Sequence, residues 1–284
     1  MPVPREALLA LYDVPDPERP GRLIPGYDKE HAARTTDIVL LVARELGVAE
    51  RYIARLEIAT LLHDIGRAGM DPELFGRIFQ SAQEAGLPVR LPELRRSYRD
   101  LTEKNASERF VELVRPVLRA KGIAVTPKVR EHIDMRMAFK QRVRRILRDV
   151  QPELTSLGVT IEPWMEKLML YYYYPQELEG QPAEVRLMAE TLVACENFEA
   201  YNNVQRGRDY YGRTKEQLRD VFSVLNGFVE RGLVSRRVYD TLARLTAAGR
   251  LDDAMRMSRG LPPDAPLSAE DEAFKRELMK GARG

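Results

Sequence analysis

A chain of 284 residues with 44% hydrophobic and 31% charged residues is long enough to bury a sizeable core and too apolar to stay disordered. Its 45 basic residues nearly balance 43 acidic ones, and the net charge of +2 excludes nucleic-acid binding driven by bulk charge, so any basic site is local. The one cysteine, Cys195, excludes an internal disulfide and any cysteine-rich zinc or iron–sulfur site, and is expected in the core.

No apolar stretch is long enough to span a bilayer, and the opening Met-Pro-Val-Pro-Arg lacks the apolar core of a secretion signal, so a cytoplasmic location is expected. Residues 1–26 are rich in proline and predict an irregular lead-in with at most a short helix over 5–12. From Tyr27 onward apolar residues recur at three and four positions, which predicts an all-α chain. The first long helix is expected over 28–47, capped by Asp28, with His31, Thr35, Ile38, Val42 and Leu46 on one face. A second, over 49–64, sets Ile53, Leu56, Thr60 and His63 on a stripe with Asp64 beside it, until Gly66 breaks the helix.

Residues 71–125 hold short amphipathic pieces broken by Gly86, Pro88, Pro92, Pro116 and Gly122, and about 76–125 reads as an inserted helical segment over the core. Thr126-Pro127 predicts a helix start, followed by His132 and a basic run (Arg136, Lys140, Arg142, Arg144, Arg145, Arg148) up to Pro152, mostly a solvated face. A helix over 161–174 ends in four tyrosines, and the next continues an apolar stripe (Val185, Met188, Leu192) with Glu196 and Glu199. A loop is expected over 206–212, then two helices, and a peripheral charged tail from Leu261. The expected division is a lead-in over 1–26, a helical domain over 27–245 and a C-terminal helical, charged extension over 246–284.

Two of only three histidines, His31 and His63, lie on apolar stripes of consecutive helices. Imidazole suits divalent transition metals, and an adjacent carboxylate such as Asp64 can complete a site or bridge two ions. A lone His-Asp pair is more often a capped or hydrogen-bonded helix end than a ligand set.

His31, then His63-Asp64, then a carboxylate on a late core helix resembles the HD phosphohydrolase superfamily, whose ligand order is His, His-Asp, Asp. Within it the chain is most similar to the HD-GYP phosphodiesterases. His63-Asp64-Ile65-Gly66-Arg67 resembles their His-Asp-Ile-Gly-Lys, and Ala194-Cys195-Glu196-Asn197-Phe198-Glu199-Ala200 resembles their Ala-Asp-x-x-Asp-Ala. Arg208-Asp209-Tyr210-Tyr211 stands in place of Arg-Pro-Tyr, and 232–239 is similar to their closing helix start. Where the group carries His-His-Glu and Gly-Tyr-Pro, this chain has Tyr171-Tyr172-Tyr173-Tyr174-Pro175, so it resembles a degenerate member.

The resemblance implies a helical bundle holding one or two divalent ions, with iron, manganese, nickel, zinc and magnesium not distinguished. It implies His31, His63, Asp64 and Glu196 as ligands and His132 as a further ligand or else a surface or core histidine. The reaction implied is hydrolysis of a phosphomonoester or phosphodiester, of a nucleotide or a cyclic-dinucleotide-like molecule, by a metal-bound hydroxide. Asp64 and Arg67 would be catalytic, and Arg67, Arg208, Tyr172 and Glu199 would contact a small phosphorylated ligand. Arg67 has the alternative of a helix C-terminal cation, Arg206, Arg208 and Arg213 of a solvated loop. Two other functions stay open: a signalling or binding module that has lost hydrolysis, and a di-iron oxygenase such as some relatives are. A homodimer is left open.

Overall fold

The computed structural model describes residues 2–16, 19–98, 100–102, 105–213 and 218–281. Among them lie sixteen α-helices, two short 3-10 turns and two strands of two residues each, so the protein is all-α. After α1 (Arg5–Ala10), the strands β1 (Val14–Pro15) and β2 (Leu23–Ile24) pair antiparallel inside the proline-rich lead-in. This lead-in is anchored: Tyr12 is fully buried and its hydroxyl donates to the Leu61 carbonyl at 3.0 Å.

Helices α2 (Lys29–Glu45) and α3 (Glu50–Leu61) pack on each other as an antiparallel pair. Asp28 precedes α2, but its side chain does not cap the helix; it is taken by Tyr210 and Arg206 instead. The expected helix over 49–64 stops at Leu61, so His63 and Asp64 sit on a turn that leads into a 3-10 turn at Ile65–Arg67. The turn that follows is held by α8 (Phe139–Asp149), from which Arg142 donates to the carbonyls of Gly66 at 2.6 Å and Ala68 at 2.9 Å.

Gly66 is held there by close packing. A Cβ at this position would lie 2.6 Å from Phe139 Cε2 and 2.9 Å from Val143 Cγ2. Gly66→Ala is therefore expected to destabilise by about 1–3 kcal/mol through overpacking. Urea unfolding of the variant checks this, and an unchanged midpoint would show that α8 gives way freely.

The segment beyond this turn forms α4 (Pro72–Glu84), α5 (Leu91–Ser97), α6 (Ala106–Ala120) and α7 (Pro127–Met137). Thr126 caps α7 by accepting from the Val129 N–H, as the Thr-Pro pair predicts. The basic run does not form one helix with α7: the chain breaks at Ala138, and Pro152 opens the short α9 (Gln151–Ser156) rather than ending a helix. Nor is that face wholly solvated, since Arg142 is buried. Helix α10 (Pro163–Leu170) ends before the tyrosines, which lie in a turn with Tyr171 and Tyr174 buried and Tyr172 and Tyr173 partly exposed.

Helix α11 (Ala183–Asn202) is central: fourteen of its twenty residues are buried, the pattern of a helix surrounded on all sides. It packs against α2 and α10, and Cys195 lies in its buried face. The expected loop at 206–212 is instead part of α12 (Val204–Tyr211), because Asn203 caps it by accepting from the Arg206 N–H at 2.9 Å. Helices α13 (Leu218–Glu230), α14 (Arg236–Ala247), α15 (Asp252–Ser258) and α16 (Ala269–Gly281) complete the chain. The tail is not peripheral: α15 packs on α11 and α2, α16 packs on α13 and α14, and Phe274 stacks near Phe222 at 5.7 Å.

Candidate metal centre

Three elements meet at the centre: α2 brings His31, the turn after α3 brings His63 and Asp64, and α11 brings Glu196 and Glu199. A ligand atom from each of His31, His63 and Glu196 lies within 4.8 Å of the other two. Two ligands each about 2.1 Å from one ion are at most about 4.2 Å apart, so a small contraction would let all three share a cation. Asp64 adjoins them, with Oδ2 at 3.7 Å from His31 Nε2.

The hydrogen bonds of the two imidazoles decide what each nitrogen can do. His63 Nδ1 lies 2.7 Å from the Thr60 carbonyl, an acceptor only, so Nδ1 carries the proton. His31 Nδ1 likewise donates to the Glu199 carboxylate. Both Nε2 lone pairs are thereby left facing inward, and both are buried without a hydrogen-bond partner. Burial disfavours the imidazolium of His63 and lowers its pKa to about 4, so it is a neutral base at physiological pH.

His132 is the instructive contrast. Its Nδ1 donates to the Lys128 carbonyl at 2.7 Å and its Nε2 accepts from the Asp71 N–H at 2.9 Å. Both nitrogens are engaged, His132 is outside the His31–His63–Glu196 cluster, and its role is to tie α7 to the start of α4.

Glu199, expected to touch a ligand, is completely buried behind His31 and is unavailable to one. Its carboxylate also accepts from Arg34 Nε at 2.7 Å, Ser258 Oγ at 3.0 Å and Asn203 Nδ2 at 3.2 Å. Burial alone would raise its pKa, but His31 and Arg34 overcome this and hold it at about 2. Glu199 therefore orients His31 and fixes its tautomer, the arrangement that metal-ligating histidines use.

The arginines are not where they were expected. Arg208 is exposed and pairs with its neighbour Asp209 at 2.8 Å, and Arg213 donates to the Ala200 carbonyl. Arg206, fully buried, is the guanidinium at the centre: it lies 2.5 Å from Asp64 Oδ2, 3.2 Å from Asp28 Oδ1 and 3.9 Å from Glu196 Oε1. Arg67 also faces Asp64 Oδ2, with Nε at 3.3 Å, and packs over the Tyr210 ring. Burial disfavours the Asp64 carboxylate, yet Arg206 and Arg67 hold its pKa well below the usual range. Glu196, about one-fifth exposed, is pushed the other way by burial and by the Asp64 charge.

Four carboxylates (Asp28, Asp64, Glu196, Glu199) thus face three guanidiniums (Arg34, Arg67, Arg206) around the two imidazoles. The Nε2 atoms without a hydrogen-bond partner, with Glu196 beside them, suit coordination of a cation. The donor set accordingly fits a transition-metal ion.

A cavity of about 30 Å³ opens beside the centre, floored by His63, Asp64 and Glu196 and rimmed by Tyr172 and Tyr173. No described residue of 76–125 lines it, so that segment does not act as its lid in this conformation. Sequence reading placed Arg206 only among loop candidates and missed Asp28, Arg34 and Ser258. The Asn203 cap was the available signal for Arg206, since it starts a helix there; Ser258 had none, because its partner lies 59 positions earlier in the chain. Compared with known proteins, the chain matches no family model, no curated protein and no solved structure.

Proposed function

We propose that the chain is a divalent-metal-dependent phosphohydrolase of the HD type, cleaving a phosphomonoester or phosphodiester. The observation that carries this reading is the pair of buried imidazoles whose Nδ1 atoms are held while both Nε2 atoms lack a partner. His31, His63, Glu196 and Asp64 would hold the ion, which when bound supplies Lewis acidity and lowers the pKa of a water toward neutrality. Around it, Glu199 and the Thr60 carbonyl fix the two rings. Arg206 and Arg67 keep Asp64 ionised, and the apolar cavity wall keeps bulk water from the reacting group.

Element-specific mass spectrometry on wild type and His63→Ala tests the reading. Stoichiometric divalent metal is expected in wild type, with a loss of roughly tenfold or more in the variant. Metal-free wild type that stays inert toward bis(para-nitrophenyl) phosphate after addition of manganese or iron overturns it.

One observation favours a second reading, a domain that keeps the bundle and binds without hydrolysing. Asp64 Oδ2 is already taken by Arg206 and Arg67, so an ion must share that oxygen or displace a guanidinium. A protein that holds metal yet turns over no phosphoester would select it.

A further inference from the structure

The cavity beside the candidate centre sets three ionisable residues against an otherwise apolar and aromatic lining, and that asymmetry bears on the substrate. Beyond the floor of His63, Asp64 and Glu196, the wall is apolar, formed by side chains such as Phe139, Leu168 and Leu192. The rim is aromatic: Tyr172 and Tyr173 are 39% and 40% exposed and meet edge to face at 4.9 Å. Each is backed from behind, Tyr172 by Phe228 at 5.9 Å and Tyr173 by Phe139 at 4.8 Å, so the rim is a fixed surface. Among the described residues no lysine or arginine lines the cavity. Arg67 and Arg206 lie buried around Asp64, and Lys140 on α8 is paired with Glu177 at 2.7 Å.

We propose, resting on the hydrolase reading above, that the substrate is a small phosphoester whose only charge is the reacting phosphate and whose alcohol is aromatic, stacked on Tyr172 and Tyr173. The volume admits little more than the reacting group, so the alcohol lies on the rim. There an aromatic ring gains offset or edge contacts with the tyrosines. A second phosphate or a carboxylate at the same place meets no cation among the lining residues and forgoes the aromatic contact, so it is disfavoured relative to a ring. The site therefore selects against nucleoside polyphosphates and cyclic dinucleotides, whose further phosphates find no cation among the residues lining the cavity.

Calorimetric titration with three non-hydrolysable probes tests this, on wild-type protein whose metal content is measured in parallel. Phenylphosphonate is expected to bind roughly tenfold more tightly than methylphosphonate, and para-carboxyphenylphosphonate roughly tenfold more weakly than phenylphosphonate. The Tyr172→Ala/Tyr173→Ala protein should lose the phenyl preference with its metal content and circular dichroism unchanged. Tyr172→Arg should invert the order of the two aryl probes. Metal-loaded protein that binds the three probes alike, or prefers the carboxyl-bearing one without the arginine, overturns the inference and leaves the hydrolase reading standing. Protein without metal that binds none of them overturns both.

Discussion

Replacing Asp64 with alanine is expected to remove on the order of 3 kcal/mol of unfolding free energy, because it strips a buried cation of its nearest counter-charge, and on the hydrolase reading proposed above it also removes a ligand needed for turnover. Arg206 is 1% exposed and sits 2.5 Å from Asp64 Oδ2, with Asp28 at 3.2 Å as its other close carboxylate. Asp64, read from sequence only as a ligand and catalytic group, is thus also half of a buried ion pair. Urea unfolding of Asp64→Ala and Arg206→Met, each alone and combined, separates the effects. The combined variant should be less destabilised than the two losses added together, since neither partner is left unpaired. Strict additivity would mean that the two charges do not depend on each other.

The second large effect is acid lability of the metal-free protein. His63 keeps its neutral form in the fold because burial opposes the imidazolium, assisted by His31 and Arg206, and its pKa falls from 6.5 to about 4. The unfolded chain takes up a proton below pH 6.5 and the folded one does not until about 4. Stability present above pH 6.5 is therefore lost as pH falls through that window, on the order of 3 kcal/mol from this group. Glu199 adds a loss of the same sign lower down, between its ordinary 4.5 and about 2, because protonation breaks its contacts with His31 and Arg34. Buried His132, also shifted down by burial, contributes in the same direction. Urea midpoints at pH 7, 6, 5 and 4 should fall steadily, and His63→Gln, which cannot protonate, should flatten the upper part of the curve. A midpoint that holds level from pH 7 to 4 would contradict the burial of these groups.

The periodicity of the sequence carried the fold class and the placing of α2 and α3, which bury stripes of apolar residues that repeat at three and four; the stripe of Val185, Met188 and Leu192 likewise marked α11, although that helix is buried on nearly all sides. It could not carry where they stop. The turn that follows α3 is held by Arg142, which reaches the carbonyls of Gly66 and Ala68 from more than seventy positions away. At the site, His31, His63 and Glu196 were legible as polar residues interrupting apolar faces, and the structure brings them together. The choice of Arg206 over Arg208 was not legible: both lie on α12, and only tertiary packing decides that one is buried against Asp28 and the other points to solvent. His132 was misleading for a related reason, since its inward face meets a backbone N–H rather than an ion.

The hydroxyl of Ser258, touching Glu199 from α15, has a consequence for synthesis. A growing polypeptide emerges from its N-terminal end, so His31 appears early, Glu199 much later and Ser258 later still. The histidine spends most of translation without the carboxylate that orients it, and that carboxylate lacks its hydroxyl donor until α15 has emerged. On the proposed metal reading, capture of the ion would accordingly come late in the birth of the molecule, and a product cut short ahead of α15 would carry the imidazoles without their full support.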